Sequence, residues 1–426
     1  MSTVITNKGP VVTAAGTGIN LALGVLYTWS IFKVAIRQSI EKGAGGFDWD
    51  LASLNDPYAV CCLVFAFAMI VAGRFQDMIG PRKTAIIGGV LVGAGFVWIS
   101  QTTAYWSWVL GFGVLTGTGI AFGYSAATPA ALKWYPQNKT GKISGIVVSG
   151  FGLASVYIAP LSNYLLGTWG LQKAMLFFGI AFFCVVSSLA NLLRNPPAGY
   201  VPEGFVERRV ADRPAEVSAT PLDMMKTRNF WVLWMLYFIG AGAGLMVIGS
   251  VAGMAKSSMG EYAFIAVAIM AIGNAGGRIA AGMLSDKIGR KRTVVFIFMS
   301  QAVMMFSTAP AIFYAPHNAT LLVVLATLIG FNYGANLALF PSFSKDFWGM
   351  KSFGVNYGLL FTAWGVGGLV MSRLSQTLFA EKGSFTDALL LAGILLAAGG
   401  VMAVLIRDKK DELRRSAARN HAKGFA

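Results

Sequence analysis

Twelve apolar windows run through this 426-residue chain: 12–36, 53–77, 84–102, 106–132, 142–166, 172–194, 229–255, 262–284, 293–314, 319–345, 353–377 and 386–406. A helix needs roughly 20 residues to cross about 30 Å of hydrocarbon, so every window is long enough to span a bilayer. The windows predict an all-α integral membrane protein with twelve transmembrane helices. Charge content agrees, because only 12% of the residues are charged, against about 25% in soluble domains. Such a chain lacks the polar side chains to cover a water-exposed surface. Its formal charge of +16 invites a nucleic-acid reading, which long apolar runs studded with aromatic residues exclude.

The segment 195–228 is proline-rich and holds ten charged residues. It reads as a polar linker and divides the chain into an N-terminal six-helix bundle (1–194), the linker itself (195–228), a C-terminal six-helix bundle (229–407) and a basic tail (408–426). The basic residues test this layout. With the N-terminus, the even-to-odd loops and the tail on one side, 26 of the 34 Lys and Arg collect there, against seven on the other. The positive-inside rule then puts both termini in the cytoplasm, in a multi-pass protein of the inner (cytoplasmic) membrane, with anionic lipid as a partner of the basic loops. The first apolar run passes twenty residues without a small-residue cleavage site and reads as a retained helix. Cys61, Cys62 and Cys184 lie in apolar stretches, and His317 and His421 are far apart, so neither a metal nor a cofactor is expected.

One arginine falls outside the topology pattern. From 262 to 285, Arg278 is the only charge, eight positions before Asp286. At 1.5 Å per residue that places it about 12 Å inside the charged border. An unpaired arginine at that depth costs at least ~2.5–3.5 kcal/mol, so something must compensate it. A substrate carboxylate fits, since a guanidinium holds both oxygens in a fork. The alternative is a structural arginine satisfied by backbone carbonyls or water. Asn274 lies one turn earlier on the same face, either as a donor to that substrate or as a polar tie between helices.

The chain also repeats itself. GRFQDMIGPRK (73–83) matches GMLSDKIGRKR (282–292), pairing Gly73 with Gly282, Asp77 with Asp286, Gly80 with Gly289 and Arg82 with Lys291. Pro129-x3-Lys133 is echoed by Pro341-x3-Lys345. Two copies in the same order imply two pseudo-symmetric halves about an axis along the membrane normal.

This duplicated loop resembles the signature of the major facilitator superfamily, over nearly the whole chain. Asn274-x3-Arg278, FPSFSKDFWG (340–349) and Asn356-Tyr357-Gly358 resemble its bacterial monocarboxylate (L-lactate) and oxalate/formate antiporter branch. The resemblance implies a secondary transporter, not an enzyme, moving a small monocarboxylate by proton-coupled symport and alternating access. The alternative within transport is organic-anion exchange. An integral-membrane enzyme or receptor would need convergent acids or histidines, and only Asp56 approaches that description. Two departures matter. The animal monocarboxylate transporters resemble this chain with an acid where Asn274 stands, so the proton role does not carry over, and Asp56, Asp346 or the substrate itself are left to carry it. The oxalate exchangers resemble it with a second cation where Trp364 stands. An apolar wall there suits a monocarboxylate, which one Arg neutralises.

The family also places cavity residues on the first and fourth helices of each half. That adds Leu26 and Tyr27, Tyr124 after a glycine-rich run, and Phe331, Tyr333 and Asn336. Each is a candidate ligand or ordinary packing. Gly73, Asp77, Arg82, Gly282, Asp286 and Lys291 read as gate and scaffold. Lys33 and Arg37 either draw anions into a vestibule or anchor their helix at the lipid interface.

Overall fold

The computed structural model describes residues 7–43, 46–136, 139–197, 199–201, 219–314, 317–349 and 352–407. Most of the linker, with Arg208, Arg209 and Arg213, and the basic tail 408–426 with His421 lie outside the described residues, as does Lys351. Among those described, eleven helical segments are long and apolar enough to cross a membrane. One of them, Gly141–Ala190, has 50 residues, about 75 Å of helix and far more than a bilayer needs. Gly170 breaks it, with φ 77° and ψ 171°. Only glycine adopts that geometry freely, and Gly80 (φ 82°, ψ 167°) and Gly289 (φ 91°, ψ 152°) repeat it where their helices end.

The twelve spans are therefore Gly9–Glu41, Ser53–Ile79, Pro81–Ile99, Tyr105–Leu132, 141–169, 171–190, Arg228–Lys256, Gly260–Ile288, Arg290–Ile312, Ala319–Trp348, Phe353–Phe379 and Thr386–Leu405. They are numbered 1 to 12 below. Large apolar side chains such as Phe67, Val71, Phe183, Phe296 and Ile394 remain exposed, as a lipid-facing surface requires. Asn318 caps span 10 by accepting from the Leu321 N–H at 3.0 Å.

Four packings position the site. Span 1 lies on span 5 and span 10 on span 8 within the halves, while spans 5 and 8, and spans 2 and 11, pack across them. Spans 8 and 10 touch backbone to backbone, since a Cβ on Gly334 would collide with the Asn274 carbonyl. Small residues permit that approach where lipid supplies no hydrophobic drive between helices. Span 1 departs from α geometry at Gly24–Thr28, a tighter 3₁₀ stretch that carries Leu26 and Tyr27.

The two ends of the bundle differ. At the end bearing the Gly80 and Gly289 turns, called the basic end here, the halves are in contact. At the far end a vestibule of about 870 Å³ opens between spans 1, 5 and 6 of one half and spans 7 and 8 of the other, with Gln38, Lys42, Asn163, Gln172, Lys256 and Glu261 on its walls.

Candidate functional site

Arg278 is fully buried where span 8 meets the opposite half. Its Nε donates to Asn274 Oδ1 at 2.9 Å, one Nη donates to the Val148 carbonyl at 2.5 Å, and the other donates to the Tyr27 hydroxyl at 3.3 Å. The Phe151 ring lies 6.0 Å from Cζ, within cation–π range. Among the described residues no carboxylate pairs with Arg278. Among the described residues its charge is met only by neutral groups.

The polar chain continues away from the guanidinium. The Tyr27 and Tyr333 hydroxyls are 2.6 Å apart, and Trp364 Nε1 donates to the Tyr333 oxygen at 2.9 Å. A guanidinium carries five N–H bonds, and three of these are used, which leaves two. Between the tyrosines one hydroxyl donates and the other O–H is left over. The cluster is rich in donors and short of acceptors, which is the profile of an anion site.

Aromatic rings wall this cluster. Trp364 stacks on Phe361 at 4.9 Å, Phe65 sits edge-on to Trp364 at 5.2 Å, and Tyr124 meets Phe151 at 5.6 Å. Below Val148, toward the basic end, a cavity of about 20 Å³ is lined by Tyr124, Thr128, Pro129, Pro341 and Tyr357 among others. That is room for about one water.

Of the expected site residues, the structure brings together Arg278, Asn274, Tyr27, Tyr333 and Trp364, with Tyr124 in the wall and Leu26 buried beside Tyr27. It does not bring in Phe331 or Asn336. Phe331 precedes Tyr333 by two positions, about 200° around the helix, and its ring is half-buried with an edge toward Gly276. Asn336 faces the inside of its own half, against Gly240 and 3.5 Å from Gln301 Oε1. Val148 and Phe151 were not anticipated. A backbone carbonyl has no sequence signature, and the neighbouring Ser149 bonds back to its own helix, donating to the Ile146 carbonyl at 2.7 Å.

The acids and outer cations are placed too. Asp56 pairs with Arg373 at 2.8 Å and accepts from the Tyr105 hydroxyl at 2.8 Å, tying span 2 to span 11 at the far end. Lys33 donates to the Gly249 carbonyl of the other half at 2.9 Å, and Arg37 pairs with Glu41. Asp346 pairs with Arg290. None of these groups touches the Arg278 cluster.

The sequence pattern of the Major Facilitator Superfamily matches residues 14–372 and again 253–425. The chain belongs to this superfamily of membrane transporters. It is 28% identical to the "Uncharacterized MFS-type transporter YhjX" of Escherichia coli, over 84% of this chain and 85% of that one. It is 27% identical to the oxalate:formate antiporter of Oxalobacter formigenes (80% and 77%) and 26% identical to monocarboxylate transporter 13 of Rattus norvegicus (90% and 86%).

The duplicated loop motif lies where the two halves of this transporter meet at the basic end. A Cβ on Gly73 would lie 2.7 Å from the Gly354 backbone, and Gly282 opposes the Gly141 carbonyl in the same way. Asp77 borders Gly354 in the first turn of span 11, and Asp286 borders Gly141 in the first turn of span 5. Each carboxylate thus meets the positive end of a helix from the other half. Lys133 neighbours Asp77 and is exposed, its ammonium donating to Asn195 Oδ1 at 3.3 Å. Two of the motif's cations are elsewhere. Lys291 donates to the Ile406 carbonyl, and Arg82 is exposed. The cation beside Asp286 is Arg290, bonded to it at 2.6 Å and to Asp346 at 3.1 Å. Its counterpart in the first copy is Pro81, so the repeat gave no hint of it. Replacing Gly73 with alanine is expected to cost about 1–3 kcal/mol of the closed arrangement and to lower transport by tenfold or more. Unchanged flux in reconstituted vesicles would show that this contact is not part of the cycle.

Proposed function

We propose that the chain moves a small monocarboxylate, L-lactate in first place, together with a proton, by rocking its two halves about Arg278. The observation that carries the reading is the donor surplus at a fully buried arginine that has no acidic partner among the described residues. One carboxylate offers about four lone-pair sites and one negative charge, which answers the spare donors and neutralises Arg278 one-to-one. Aromatic walls and Leu26 suit a short apolar substituent. The vestibule is the outer entrance and the basic end is cytoplasmic, in the inner membrane, with both termini inside. The membrane potential favours proton coupling. Moving a monoanion inward against an inside-negative potential costs about 2.3 kcal/mol per 100 mV, and one proton removes that cost. The relatives named for oxalate:formate exchange and for monocarboxylate transport support the anion class.

The alternative, dicarboxylate exchange of the oxalate type, is disfavoured by Trp364. Among the described residues no second cation touches the Arg278 cluster, so a second carboxylate would be buried unpaired. Replacing Trp364 with lysine is expected to weaken lactate binding and to create some oxalate binding. An unchanged preference for lactate over oxalate, measured by ligand-induced thermal stabilisation of the purified variant, would remove Trp364 from the cavity wall. The reading as a whole is tested by counterflow of labelled lactate in proteoliposomes. Flux above protein-free vesicles is expected, and its absence across a panel of monocarboxylates would refute it.

A further inference from the structure

Building on the carboxylate reading above, the geometry points to a second role for two groups around Arg278: the Val148 carbonyl and the Tyr27 hydroxyl are internal stand-ins for the two oxygens of the substrate's carboxylate.

Arg278 belongs to the second half, whereas Val148 lies on span 5 and Tyr27 on span 1 of the first half. The two terminal nitrogens are the prongs that grip a carboxylate in a fork. Here each prong ends on one neutral oxygen of the opposite half, at 2.5 and 3.3 Å. Asn274, from Arg278's own helix, takes only the remaining Nε. The close approach is built into span 5. Gly152 follows Val148 by one turn, and a Cβ there would lie 3.2 Å from both Arg278 Nε and Asn274 Oδ1.

Parting the halves breaks both bonds and bringing them together restores them. The protein can therefore satisfy its buried guanidinium on closing, without borrowing an anion. Without such partners, closure around a bare arginine would be strongly disfavoured, and the carrier would be confined to exchanging one anion for another. Both stand-ins are neutral, and a carboxylate makes stronger charge-assisted bonds to the same nitrogens, so the substrate displaces them when it arrives. This arrangement permits reorientation of the unloaded carrier, and hence net transport.

The test uses proteoliposomes loaded with labelled L-lactate and diluted into buffer with or without external unlabelled lactate, at equal pH on both sides. Efflux into lactate-free buffer is expected, slower than exchange. In Tyr27→Phe the lactate-free efflux should fall by about tenfold or more, the effect of losing one hydrogen bond to a charged group, while exchange falls less. Gly152→Ala, which pushes span 5 away from the guanidinium, should show the same bias. Efflux confined to vesicles with external lactate would overturn the stand-in role and leave lactate transport intact. So would equal losses in both modes in both variants. Absence of flux in both modes from the unaltered protein would instead sink the carboxylate reading and this inference with it.

Discussion

Arg278→Lys is expected to reduce monocarboxylate transport by about 100-fold or more with expression largely intact. A lysine keeps the charge but has a single nitrogen on a flexible stem. It cannot hold Asn274 Oδ1 and offer a two-pronged grip at once, as Arg278 does through three separate nitrogens. Two charge-assisted bonds are lost, each about 1.5–3 kcal/mol. The measurement is counterflow by the purified, reconstituted variant, with elution as a single monodisperse species as the check on folding. Wild-type flux would remove Arg278 from the site.

Asn274→Asp should be nearly as damaging, but only above acidic pH. Asn274 Oδ1 already accepts from Arg278 Nε at 2.9 Å, so an ionised aspartate would form a buried ion pair in place. Arg278 would then be neutralised, and an arriving carboxylate would meet a like charge in low dielectric. Binding needs the new carboxyl protonated, so lactate affinity should be about 10- to 100-fold weaker at pH 7 and recover as pH falls. Affinity measured across pH with the parent as reference decides this. The same pH profile in variant and parent would place Asn274 away from the substrate.

The scaffold was largely legible in the sequence. Membrane spans impose a length, and windows such as 53–77 and 353–377 match Ser53–Ile79 and Phe353–Phe379 closely. The separation of 142–166 from 172–194 brackets Gly170, the residue that breaks an otherwise continuous helix. The centre of the site was legible for a related reason. A polar or charged side chain inside an apolar run has few structural explanations, so Arg278 and Asn274 stand out.

What stayed hidden has physical causes. Val148 contributes a backbone oxygen, and every residue has one. Phe331 and Asn336 were placed by the span they sit on, yet rotation about the helix axis decides which way a side chain points. Tyr333 reaches Tyr27 while Asn336, one turn on, turns toward Gln301. Arg290 was masked by Pro81 at the matching place of the first copy. Repeat symmetry finds shared scaffold and overlooks what one half has acquired alone.

The most direct test of the account is uptake of labelled L-lactate by proteoliposomes of the purified protein under an imposed inward proton gradient. Saturable accumulation above equilibrium is expected, collapsing with a protonophore, blocked by excess pyruvate and indifferent to oxalate. Uptake that ignores the gradient and proceeds only into vesicles preloaded with oxalate or formate would contradict it.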